Sequence, residues 1–289
     1  MNVLNPIFGA ICGGKLPVSE YDLGEGISLR ATYAHVMAPF LMAFTPAEPG
    51  KPHPAPWVPV SGGLGFDAYI ELRIDAAGNP EWLMGPQALW WVIALFRLKV
   101  SWSLFAPVFS DGSFHDMAKA SSTRVIPLEL TSRGRRNDGD AANISLDDLK
   151  WVATVWKRAA FLFHRERNFA QAFEAFDHSP TISSPSLGLL TLWSSLEHLF
   201  APSKSELRFR VSALIASYLE PGGNERLELH KRVMKLYDQR SQAAHTANPV
   251  EAQAADDTYA LMRRILLKIV DSNQVPKRDE LEQLLFGVS

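Results

Sequence analysis

Two hydrophobic rhythms divide this chain. Up to about residue 130, apolar positions come in short alternating runs. From Leu146 onward they recur every three to four residues. Residues 27–44 are apolar and rich in strand formers, without a helical period. In 66–75, Ile70, Leu72 and Ile74 point one way while Glu71, Arg73 and Asp75 point the other, the pattern of a half-buried strand. Residues 86–97 read as a buried helix carrying Trp90 and Trp91. Val100, Trp102 and Leu104 alternate with serines and predict a strand. Residues 124–130 predict another, weakened by Pro127. The proline-rich 46–59 predicts a loop, and Ser61-Gly62-Gly63-Leu64-Gly65 a glycine turn before the strand. That turn lacks the strand–helix context and the Lys-Ser of a phosphate loop.

The second half reads as helix throughout. Leu149, Val152, Val155, Trp156 and Ala159 mark the first, with Ser145 as N-cap and Asp147 and Asp148 in its first turn. Residues 168–176 continue or restart it, and further helices follow over 184–200, 205–219, 224–245, 251–270 and 277–286, with Pro185 suited to a first helical position and Asn224 to a cap. Short connections between amphipathic helices predict an antiparallel bundle. The polar, glycine-containing 132–140 is the best linker candidate, and its arginines Arg133, Arg135 and Arg136 read as a solvated loop before they read as phosphate contacts. The expected fold class is therefore α+β: a mixed α/β domain over 1–136, a linker over 137–144, and an all-α bundle over 145–289 that folds by itself.

Composition narrows the function. A formal net charge of −2 removes any global basicity, so nucleic acid would have to meet a local patch. A single cysteine, Cys12, excludes an internal disulfide framework and a cysteine-rich zinc site, and fits a reducing cytoplasm. The N-terminal residues lack the basic and apolar regions of a signal peptide, and the most apolar window, 89–96, is far shorter than the roughly 20 residues that span a bilayer. His35, His53 and His115 lie in separate segments without ligand spacing, so no metal site is expected. The tryptophans read as core residues.

The residues that carry chemistry stand at the end of the helix 224–245. Val233, Leu236 and Tyr237 share a face, and at about 100° per residue Arg240 falls on it too. A charge on a core-facing stripe needs a partner or faces a site. Glu197 has the same position among Leu190, Trp193 and Phe200, so it needs a donor: Arg240, Arg208 or Arg210. A Glu197–Arg240 pair would be a structural lock or a device that orients Arg240 toward a phosphate. His245 follows on the same helix, about 140° from Arg240 if the helix stays straight. The two converge only if the helix loosens near Ala243-Ala244 or a second subunit supplies the partner.

Leu236-Tyr237-Asp238, then Arg240-Ser241 and His245 closing a helix, preceded by Leu192-Trp193-Ser194-Ser195-Leu196-Glu197 and Glu206-Leu207-Arg208-Phe209-Arg210-Val211, resembles the HEPN superfamily, and most closely its ApeA-like branch. The resemblance covers the C-terminal half only. It implies a helical bundle that forms a homodimer and cleaves RNA or tRNA without a metal or other cofactor, in antiphage defence and abortive infection, with DNA not a substrate. Arg240 and His245 would be catalytic. Glu197, Asp238 and Ser241 would support them, and Arg208 and Arg210 would meet RNA. Ser241 and Thr246, and Ala243-Ala244 in place of bulkier residues, depart from many active members. The alternative is a non-catalytic module that binds RNA or a protein partner.

Overall fold

The computed structural model describes residues 5–43, 49–50, 58–75, 80–117, 123–129, 141–200, 207–245 and 251–287. Its first half is built from β1 (Ile7–Cys12), β2 (Gly14–Lys15), β3 (Glu20–Gly24), β4 (Ile27–Ala43), β5 (Val58–Ile74), α1 (Pro86–Lys99), β6 (Phe105–Ser110) and β7 (Val125–Pro127). Six of these strands form one antiparallel sheet in the order β3-β4-β5-β1-β6-β7. The alternation in 70–75 is realised in the sheet. Ile70, Leu72 and Ile74 are buried, and register sets Ile74 opposite Ile27 and Leu72 opposite Leu29, both buried as well. Pro127 sits in the edge strand β7, where its missing N–H costs no ladder bond.

Glu71 points the other way and is nevertheless buried. Its carboxylate accepts from the Ser113 hydroxyl at 2.8 Å and from the Phe114 amide at 2.5 Å, which pins the 111–117 turn onto the sheet. α1 crosses the sheet at Gly9, where a Cβ would come within 2.5 Å of Leu89 Cδ1. Only glycine lets strand and helix approach this closely.

Two strand boundaries differ from expectation. Residues 61–65 are not a turn but part of β5, which pairs with β4 back to Val58 and Pro59, so the predicted loop over 46–59 ends earlier than expected. Between the pairs Ala38–Leu64 and Phe40–Ser61, β5 holds one residue more than β4. Gly62 and Gly63 thus occupy a bulge, the alternative meaning of glycine inside a strand. The strand expected from Val100 is a turn instead, and extended pairing begins at Phe105. There the Ser101 hydroxyl accepts from the Ser103 amide at 3.3 Å, so the serines bond locally and compete with a ladder. Residues 46–48, 51–57 and 130–140 lie outside the described residues.

The second half comprises β8 (Ala142–Asn143), α2 (Leu146–Arg165), α3 (Arg167–His178), α4 (Pro185–Phe200), α5 (Leu207–Leu219), α6 (Asn224–His245), α7 (Ala252–Ser272) and α8 (Arg278–Phe286). β8 pairs in parallel with β2, so the end of the expected linker 137–144 is tied to the N-terminal half. Ser145 caps α2 as expected, within a capping box closed by Asp148. α4 lies centrally, packed on α3, α6 and α7, while α5 packs on α6 and α8.

One hydrophobic cluster runs from Ile7 in the sheet to Leu281 in α8. α1 is its centre: it faces β5 and β6 on one side and α2, α3 and α7 on the other. Of the described tryptophans, Trp91, Trp156 and Trp193 are buried in this cluster, and Trp82, Trp90 and Trp151 pack against it from partly buried positions. Trp91 donates its indole N–H to the Trp156 carbonyl at 2.9 Å, and Trp156 donates to the Leu23 carbonyl of β3 at 3.0 Å. Among the described residues no helix is long and apolar enough to cross a membrane.

Candidate functional site

The C-terminal part of α4 and the second half of α6 bring Glu197 and Arg240 together, one of the three pairings that the stripe positions left open. Arg240 Nη2 donates to Glu197 Oε2 at 3.3 Å and stands 3.2 Å from Oε1. The side chains retain 24% and 19% of their exposure, so the pair is half-buried rather than sealed inside the bundle. Leu229, Val233 and Leu236 are the buried residues of α6 and anchor its inner face. Tyr237 and Arg240 stand at the margin of that face, where the helix leaves the core.

Two aromatic rings frame the pair. The Arg240 guanidinium lies 5.6 Å from the Tyr237 ring centroid, and Tyr237 meets Trp193 edge-on at 5.1 Å. Burial, followed by the charge of Glu197, pushes the Tyr237 phenol above its ordinary pKa, and a hydrogen bond to the Glu197 carboxylate adds to the rise. Arg240 opposes the shift. Hydrogen-bonding capacity remains unused here: Trp193 Nε1, Glu197 Oε1 and Arg240 Nε have no hydrogen-bond partner among the described residues. The Oε1 contact to Arg240 falls within ion-pair distance but outside hydrogen-bond geometry.

The other expected site residues are placed differently. Asp238 turns to α5, where Arg208 grips its carboxylate with Nε and Nη2, both at 2.6 Å. These two side chains are about half exposed, and they occupy each other rather than Arg240 or His245. Arg210 is half-buried on α5 and makes no ion pair with a described residue. Ser241 is half-buried beside Arg240. His245 is exposed at the last position of α6, and the helix runs unbroken to it through Ala243-Ala244. Within one chain Arg240 and His245 therefore remain about 140° apart around the helix. Residues 246–250 lie outside the described residues.

The most deeply buried charges were not anticipated from the pattern. Arg97 of α1 is 1% exposed, and its Nη1 donates to both carboxylate oxygens of Asp177 at 3.1 Å. Nη2 reaches Glu129 Oε2, and Nε reaches the Leu104 carbonyl at 2.6 Å. Trp90 Nε1 adds a fourth donor group to this network through Asp177 at 2.9 Å. The signal lay in an arginine inside the apolar run of α1 and an aspartate beside Phe173 and Phe176. Among the described residues, no three His, Cys, Asp or Glu side chains form a group that could hold a metal ion. Compared with family models, curated proteins and solved structures, the chain gives no match.

Proposed function

We propose that this chain is an RNA-directed protein of the HEPN kind, acting in the cytoplasm as a homodimeric, metal-independent endoribonuclease in antiphage defence. The observation that supports this most is the Glu197–Arg240 pair. It holds an arginine at the edge of the core, near the Tyr237 ring, with about a quarter of its side chain still exposed. Such an arginine is suited to a phosphate, because the guanidinium fork matches two phosphate oxygens while Glu197 limits its orientations. In the proposed reaction the ribose 2′-oxygen attacks phosphorus and the bond to the 5′-oxygen breaks. His245 from the second copy removes the 2′-hydroxyl proton and returns a proton to the leaving 5′-oxygen. Arg240 stabilises the charge that develops on the phosphoryl oxygens. A second copy is required because α6 holds the two residues of one chain apart.

That same unbroken helix favours a second reading, a non-catalytic module that binds RNA through Arg240 and Arg210. One experiment separates the two. The purified chain is incubated with a mixed RNA pool and with DNA, with and without EDTA, and the product ends are mapped. Nuclease activity yields 2′,3′-cyclic phosphate and 5′-hydroxyl ends, is indifferent to EDTA and spares DNA, which has no 2′-hydroxyl. His245→Ala abolishes cleavage and keeps RNA binding. Binding without cleavage by the wild-type dimer establishes the second reading. A strict monomer that binds no RNA excludes both.

A further inference from the structure

A second site lies on another side of α4. A cleft of about 700 Å³ opens where α2 passes into α3, bounded by the end of α4, the turn after α7 and the start of α8. Arg165, Arg167, Lys277 and Arg278 line it, together with Glu166. Four cations against one carboxylate leave a local net charge of three positive in a chain whose overall formal charge is −2. All four cations are exposed. Arg278 has a solvated partner in Glu282 at 3.2 Å, and Arg165 and Arg167 have no ion pair with a described residue.

Like charges gathered in one concavity repel one another, and the cost is recovered only when an anion enters. The fold fixes where their backbones stand. Only Glu166 separates α2 from α3, so Arg165 and Arg167 flank a fixed break, and Asn168 Nδ2 ties that break to the His198 carbonyl of α4 at 3.2 Å. Glu166, between the two helices, makes no side-chain cap bond to α3. The back of the cleft is apolar, formed by Leu199, Phe200 and Leu281.

The geometry points to a binding site for a nucleoside di- or triphosphate. Its volume exceeds what a lone phosphate fills and falls in the range of small-molecule sites. The charge matches two or three phosphates, and the apolar back suits a base. This site is independent of the RNA-cleaving reading, because none of its residues contributes to the Glu197–Arg240 pair.

Titration calorimetry of the full-length protein with ADP, ATP, pyrophosphate, adenosine and a single-stranded RNA oligomer tests the assignment. ADP and ATP should bind once per chain, pyrophosphate more weakly, and adenosine not at all. Arg167→Glu and Lys277→Glu should each weaken ADP binding ~10-fold or more, since each removes a charge-assisted contact and adds a repulsion. Both side chains are exposed, so the melting temperature should not move. Lys235→Glu, an exposed reversal on α6, should leave ADP binding unchanged. No binding of ADP or ATP at millimolar concentration overturns the proposal. So does equal weakening by all three reversals, or RNA binding at this cleft that nucleotides cannot displace.

Discussion

Arg97 and Arg240 are both arginines on apolar helix faces, and they differ in what their neighbours leave open. Arg97 spends its donors on Asp177, Glu129 and the Leu104 carbonyl in a sealed site. Its removal strands the buried Asp177 carboxylate, so Arg97→Met should lower unfolding stability by about 3–5 kcal/mol in urea titration. A loss within experimental error would mean that the Arg97–Asp177 pair adds no net stability. Arg240 lies between the buried and the exposed regimes. A double-mutant cycle of Glu197→Gln and Arg240→Gln should give a coupling of about 1–2 kcal/mol, and strict additivity would exclude a direct pair. The same cycle on the half-exposed Arg208–Asp238 fork should give no more than about 1 kcal/mol, because water screens it. Cys12 illustrates the opposite sign of environment. Burial, with a smaller contribution from Asp67, pushes its thiol up to about 12. The native thiol should react slowly with Ellman's reagent at pH 8 and at the free-thiol rate after denaturation. Its folded pKa lies above its unfolded one, so the associated stability is intact below the model-compound value of 9.0 and is lost as pH rises toward 12.

At the scale of elements, local chemistry and close approach act separately. The start of α2 is set within four residues: Ser145 accepts from the Asp148 amide at 3.1 Å and Asp148 accepts from the Ser145 amide at 3.0 Å. Ser145→Ala should cost about 1 kcal/mol of stability, measured by thermal melting, and Ser145→Asp should retain most of it. Gly9 obeys a constraint from far along the chain. Gly9→Ala drives a methyl into Leu89 and should cost about 1–3 kcal/mol, and Leu89→Ala in the same chain should recover part of that loss. The Ser145 cap was legible because it and the amide it serves are sequence neighbours. The bulge at Gly62-Gly63 was not, since the same glycines read equally well as a turn until β4 is seen to pair across them.

At the scale of the molecule, the sheet and the helices share their interior through α1. The aromatic set around Trp91 joins the halves: Trp90 and Trp91 belong to the first, Phe163 and Phe173, the latter at 4.8 Å, to the second. Arg263 of α7 also donates to the carbonyls of Leu98 and Lys99 at the end of α1. A fragment beginning at Ser145 would expose this surface to water. It should keep helical circular dichroism but unfold with a broader transition and bind a hydrophobic dye, whereas a fragment extended to include α1 and the sheet should unfold cooperatively. An equally sharp transition for the shorter fragment would show that α1 is dispensable.

Periodicity alone determined that strands precede helices in this chain, because side-chain direction follows from the local backbone and repeats every two or 3.6 residues. It also determined that Glu197 and Arg240 each need a partner, because a charge on an apolar stripe has no water to satisfy it. Tertiary structure alone decided that they meet each other while Arg208 takes Asp238, since the choice among three arginines depends on how α4, α5 and α6 pack. It decided as well that α6 runs unbroken to His245 and keeps it apart from Arg240, and that Arg165, Arg167, Lys277 and Arg278 line one cleft. The first two stand more than a hundred positions before the last two, and no local pattern encodes a distance that only the packing of α2, α3, α4 and α8 creates.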